Sequence, residues 1–167
     1  MNYKSSGKTY FLVFSAAIAA IYTVLTLIFA PISFGPIQFR ISEILCILPF
    51  FTPAAIPGLF IGCLLSNFLC GAAALDVIFG SLATLIGAVG SYMLRKHQWM
   101  VCIPPIIANT IMIPWVLRFA YGSQDFIWYA MFTVGVGEIL AIGFLGNIFL
   151  GVLNRYKHIV FGRFITE

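Results

Sequence analysis

The chain has 167 residues, 62% of them hydrophobic and only 8% charged, with a mean hydropathy of +1.06. Soluble domains carry roughly 25% charged residues, so this composition excludes a soluble enzyme or binding module and predicts an all-α integral membrane protein. The net charge of +4 comes from basic residues at the chain ends and in one turn rather than from a patch interleaved with aromatics, which excludes nucleic acid as a partner.

Tyr10 to Ala30 is long enough to span a bilayer, and no convincing cleavage site precedes Pro31, so a retained first helix is expected. Gly7-Lys8-Thr9 matches only the tail of a phosphate-binding loop, without the leading glycine or a preceding strand, and predicts no nucleotide site. Ala16 and Ala20 have the spacing that lets another helix approach closely, either within the bundle or at a docking face. Pro31 to Gln38 reads as a loop. Arg40 and Glu43 follow, and a helix beginning after Pro36 would put both on one face, continued by Ile47. Charges facing hydrocarbon are costly, so this pair should face the bundle interior or a water-filled cavity. The spacing suits a plain Arg40–Glu43 ion pair as well as a gating or binding role.

Ile41 to Phe51 is short for a span, with Pro49 and Pro53 expected to end or kink it. Ala54 to Phe68 carries Gly58-xxx-Gly62, a signal of close packing, and Asn67 lies near its end. Asp76 opens the fourth span, which runs to Leu94 and Arg95-Lys96-His97; an acid there either complements the helix macrodipole or serves a site. Val101 to Leu117 is the fifth span, interrupted by Pro104-Pro105 and Pro114, with Asn109, Met112 and Trp115 sharing a face. In the sixth, Ser123 to Leu153, the residues Asp125, Trp128, Phe132, Gly135 and Glu138 recur every three or four positions as a mixed aromatic and acidic stripe. Trp115 and Trp128 equally suit an interfacial belt. Cys46, Cys63, Cys70 and Cys102 lack CxxC spacing and read as core residues, and no metal site is expected.

The expected architecture is one compact bundle of six transmembrane helices forming a single domain over residues 1–167, with short tails at about 1–9 and 155–167. With both termini on one side, that side collects Lys4, Lys8, Arg95, Lys96, Arg155, Lys157 and Arg163, against Arg40 and Arg118 on the other, which predicts cytoplasmic termini. Arg40, Glu43, Asn67, Asp76, Trp115, Arg118 and Trp128 then fall in the outer half, with Glu138 as a floor beneath them. Such a bundle reads as a solute-binding membrane protein. A membrane-embedded enzyme would need a nucleophile with a base, or a metal site, and none is visible. An assembly subunit that binds no solute would not require Arg40, Glu43, Asp76 and Glu138 in one small bundle.

The order PIQFRISEILCILPFFTPAAIPGLFIGCLLSN, followed by LDVIFGSLATLIGA and VGVGEILA, resembles the QueT family. These are substrate-binding S components of energy-coupling factor (ECF) transporters assigned to queuosine precursors. The resemblance implies a protein of a prokaryotic plasma membrane, without a cofactor or ATPase activity of its own. It would bind substrate from outside and dock on a membrane coupling subunit driven by two cytoplasmic ATPase subunits. It implies docking through Ala16 and Ala20 and a gate at Pro31 to Arg40. The implied ligand is a 7-deazaguanine such as preQ1 or queuine. Glu138 would accept from its ring donors while Asn109 gives to its carbonyl. Trp115, Trp128 and Phe132 are expected to stack on the base, and Asp76 or Glu43 to meet a ligand amine, with Arg40 neutralising the acid left over and Asn67 in the same outer set. The alternatives are an S component for another vitamin or a metal ion, or a membrane-embedded enzyme.

Overall fold

The computed structural model describes residues 3–33 and 39–161. The loop expected at Pro31 to Gln38 is described only to Ser33, and its described part is a short helix rather than a loop; Gly35, Pro36, Gln38, Arg163 and the Lys4 side chain lie outside the described residues. All regular structure among the described residues is helical. Helix α1 (Tyr3–Ile28) and the short α2 (Ala30–Ser33) precede a 3-10 helix, Ile41–Phe50. Then come α3 (Ala55–Leu69), α4 (Ala74–Met93) and α5 (Ile103–Ala120). The last rod starts as α6 (Ile127–Glu138), widens into a π-helical stretch, Ile139–Gly146, and ends as α7 (Asn147–Val160). Four helical stretches, Gly7–Ile28, Ala74–Met93, Gln98–Ala120 and Ile127–Val160, are long and apolar enough to cross a membrane, and Ile41–Phe50 and Ala55–Leu69 are shorter apolar helices.

Beside an apolar core that includes Ile47, Leu59, Ile142 and Leu150, the bundle buries many polar groups and exposes many apolar ones. Ser42, Glu43, Thr52, Ser66, Asn67, Asp76, Ser81, Thr84 and Ser91 are buried, whereas Leu12, Val13, Ile28, Phe68, Phe119 and Phe144 are exposed. Water would not favour so apolar an exterior, whereas hydrocarbon solvates it and drives polar groups to find partners within the protein.

Small residues set the closest contacts. A Cβ on Gly58 would lie 2.8 Å from the Ser15 carbonyl oxygen, and one on Gly62 would lie 2.8 Å from Tyr22 Cβ, so α3 packs on α1 almost backbone to backbone. Gly87 and Gly90 of α4 meet Pro105 and Pro104 of α5 in the same way. Those two prolines do not interrupt the fifth span as expected. They sit in its first turn, where the amides lack intrahelical partners and proline removes nothing.

Two irregular helices shape the centre. A ten-residue 3-10 run is unusually long, and its three-residue repeat eclipses residues i and i+3, stacking Cys46 over Glu43. Arg40 stands just outside it, in extended backbone with φ −92° and ψ 105°. The expected common face of Arg40 and Glu43 therefore does not form. The π-helical stretch packs on this 3-10 helix, with Ile47 Cγ2 3.2 Å from where a Gly146 Cβ would be. The expected stripe on the last rod also divides. Asp125 precedes α6, Trp128 and Phe132 face outward, and Glu138 is buried. Ten residues of α-helix end about 80° short of three full turns, which carries Glu138 round from the Trp128 face to the interior.

Candidate functional site

The guanidinium of Arg40 reaches across to the start of α4, where Nη2 lies 3.7 Å from Asp76 Oδ1, with both side chains buried. Asp76 does not cap its own helix. Its Oδ2 accepts a 2.9 Å hydrogen bond from the Tyr121 hydroxyl, whose oxygen in turn accepts the Ala73 N–H at 3.1 Å. Asn67 Nδ2 donates to the Asp76 backbone carbonyl at 3.4 Å, tying the end of α3 to the same place. Gly80, one turn along α4, lets these side chains close in on the helix backbone: a Cβ there would sit only 3.0 Å from both Asn67 Nδ2 and Asp76 Oδ1.

Glu43 has a different surrounding. Its Oε1 accepts from the Tyr22 hydroxyl at 2.6 Å and its Oε2 from the Cys46 thiol at 2.8 Å. Thr26 donates to Ser42 at 2.8 Å beside it. Both carboxylate oxygens are thus engaged by donors of the protein's own, and Glu43 locks the 3-10 helix onto α1.

Glu138 and Asn109 meet across the α5–α6 seam, with Asn109 Nδ2 donating to Glu138 Oε1 at 3.0 Å. Glu43 and Arg40 both lie within electrostatic reach of Glu138, so the two clusters share one interior. Glu138 Oε2 and Asn67 Oδ1 are buried in this interior and receive no hydrogen bond, and Asp76 Oδ1 has only its ion pair with Arg40; Asn147 Oδ1, farther along the last rod, is likewise unbonded. Buried polar atoms are nearly always paired, so unfilled acceptors are informative.

The aromatic residues expected to stack lie elsewhere. Trp115 is 45% exposed, Trp128 77% and Phe132 68%, so none of the three is buried with the carboxylates. Trp115 stacks on Phe119 and lines an apolar groove of about 300 Å³ with Leu75, Phe79 and Met112. Ala16 and Ala20 are exposed on α1, on the side away from Ser15, Ile18, Ala19 and Tyr22, which are buried. Cys46, Cys63 and Cys102 are buried and Cys70 is half-buried, all as free thiols. No group of metal-binding side chains occurs among the described residues.

Sequence reasoning missed Tyr22, Tyr121 and Thr110. Tyr121 ends a span and looks like a belt residue. Thr110 differs from its peers. Thr23, Thr26 and Thr84 each donate to the carbonyl four residues back, as hydroxyls within helices do, whereas Thr110 Oγ1 is buried with no partner beside Gly135.

A helical exterior fit for lipid encloses carboxylates, amides and a guanidinium, the arrangement of a membrane protein with a polar site in its interior. The chain belongs to the QueT transporter family, whose model matches residues 12–155. It is also 47% identical over 82 residues to a protein of Lactococcus lactis subsp. cremoris (strain MG1363) described as queuosine precursor transporter QueT. That match spans 48% of this chain and 48% of the relative, so it covers about half the relative's length. No solved structure matches the chain.

Proposed function

We propose that this chain is the substrate-binding S component of an ECF-type importer for a queuosine precursor. In this reading it forms one six-span domain in a prokaryotic plasma membrane with both termini in the cytoplasm. The single observation that carries the substrate is the set of buried oxygens that accept no hydrogen bond, Glu138 Oε2 and Asn67 Oδ1, together with Asp76 Oδ1, which has only its 3.7 Å ion pair with Arg40. A 7-deazaguanine is rich in donors on the edge formed by N1 and N2, and its aminomethyl derivative adds a cation. Glu138 accepts from the ring edge. Asn109 Nδ2 carries two hydrogens, one given to Glu138 and the other available to the ring carbonyl. Asp76 meets the amine alongside Arg40, because its Oδ1 has only the 3.7 Å ion pair, whereas both Glu43 oxygens accept short hydrogen bonds. Charge-assisted hydrogen bonds are roughly twice as strong as neutral ones, so amine-bearing precursors bind more tightly than the nitrile form. Trp115, Trp128 and Phe132 serve the outer interfacial belt in this arrangement, consistent with their exposure.

Calorimetry on the purified chain tests the substrate. The expected result is saturable binding of 7-deazaguanines with no comparable heat from other vitamins or divalent metals; tight binding of an unrelated vitamin would overturn the assignment. ATP-dependent uptake into proteoliposomes should appear only when a coupling subunit and ATPases are added.

The exposed Ala16 and Ala20 form the docking face for the coupling subunit in the same reading. Ala16→Leu and Ala20→Leu should leave ligand affinity within about twofold, since neither side chain is buried, while sharply reducing recovery of the complex in pull-downs. Full recovery with both variants would move the docking face elsewhere.

A further inference from the structure

Tyr121 closes α5 at the surface, yet its hydroxyl sits between the first residues of α4 and the buried acid Asp76. We infer that Tyr121 is a positioning residue that turns the Asp76 carboxylate into the interior and so sets selectivity for cationic ligands. This inference rests on the function proposed above.

The start of α4 explains why a helper is needed. Ala73 occupies the N-cap, where it offers no side-chain acceptor, and Asp76 is the third residue of the helix. A carboxylate at that position ordinarily reaches back to accept the N-cap amide, the return half of a capping box. Here the Tyr121 hydroxyl is inserted into that contact. Ala73 N–H donates to the phenol oxygen at 3.1 Å and the phenol donates to Asp76 Oδ2 at 2.9 Å. The amide is satisfied without the carboxylate folding back on its own helix. One oxygen is thereby held by Tyr121, and the other, Oδ1, faces Arg40 at 3.7 Å, packed closely over Gly80. Burial pushes the phenol above its ordinary pKa, with the adjacent Asp76 carboxylate adding to the effect, so it stays a proton donor at neutral pH.

Without the hydroxyl, the Ala73 amide becomes the nearest unsatisfied donor to Asp76. The carboxylate then swings to its own helix start and withdraws Oδ1 from the interior. A neutral ligand loses nothing, whereas a cationic one loses its counter-charge.

The test is calorimetry of the aminomethyl and nitrile forms of 7-deazaguanine on the parent chain, Tyr121→Phe, Asp76→Asn and the double variant. Tyr121→Phe should weaken the aminomethyl form about tenfold and leave the nitrile form within about twofold, with no further loss in the Asp76→Asn background. Equal weakening of both ligands, or full additivity with Asp76→Asn, would overturn the inference. If the parent binds neither deazaguanine, the substrate assignment fails, and the positioning role is judged on the ligand-free chain by thermal unfolding. Losses of Tm that do not add between Tyr121→Phe and Asp76→Asn then support it, and losses that add refute it.

Discussion

Arg40→Met alone is expected to cost about 3 to 5 kcal/mol of folding stability, and Asp76→Leu alone a similar amount, while the double variant should recover at least half of either loss. The two side chains are only 6% and 2% exposed, so removing one leaves the other as an uncompensated charge out of reach of water. Removing both replaces an ion pair of modest geometry, 3.7 Å apart, by apolar packing. Thermal or urea unfolding in detergent measures this cycle. Additive losses would mean that Arg40 is held chiefly by another acid. In that event Arg40→Met combined with Glu43→Gln, rather than with Asp76→Leu, should show the recovery.

Glu138→Gln is expected to weaken every 7-deazaguanine by about tenfold to a hundredfold. Its amide replaces one acceptor oxygen with a donor facing ring donors, and a hydrogen bond to a charged group is worth about 1.5 to 3 kcal/mol, with about 1.4 kcal/mol per decade of affinity. The folded chain itself should be no less stable, because Gln still accepts from Asn109 and no longer buries a carboxylate with an unfilled oxygen. Calorimetry read beside thermal unfolding separates the two effects. Unchanged affinity for both the aminomethyl and nitrile forms would remove Glu138 from the site, and loss confined to the aminomethyl form would exchange its role with that of Asp76.

The parts of the interior that were legible in the sequence are those where an isolated polar residue interrupts an apolar helix. Asn109 and Glu138 stand out in this way on two successive spans, and the fold brings them to 3.0 Å. The close-packing signal of Gly58 and Gly62 was equally readable, since only small residues admit the α1 backbone at that distance. Arg40 and Glu43 were misleading because a three-residue spacing implies a shared face only if both residues belong to one helix. The segment begins at Ile41 as a 3-10 helix, so the arginine leaves by a different direction. The tryptophans presented two readings that no local pattern separates, and the rotation of α6 between Trp128 and Glu138 exposes the one while burying the other.

The sequence by itself determined the solvent, the positions of the apolar helices and the family, because hydropathy, proline and glycine placement and motif order act locally and add along the chain. Only the tertiary structure decided which acid is shared, which is enclosed and which is left with an open oxygen. Asp76 meets Tyr121 from 45 residues away and Glu138 meets Asn109 from 29. In an apolar interior a polar group is satisfied by whatever partner helix packing carries to it, and that packing depends on small-residue contacts between distant segments. Glu43 therefore gives its two oxygens to Tyr22 and Cys46, while Asp76 is divided between the Tyr121 hydroxyl and the Arg40 guanidinium, and Glu138 keeps one oxygen without a hydrogen bond.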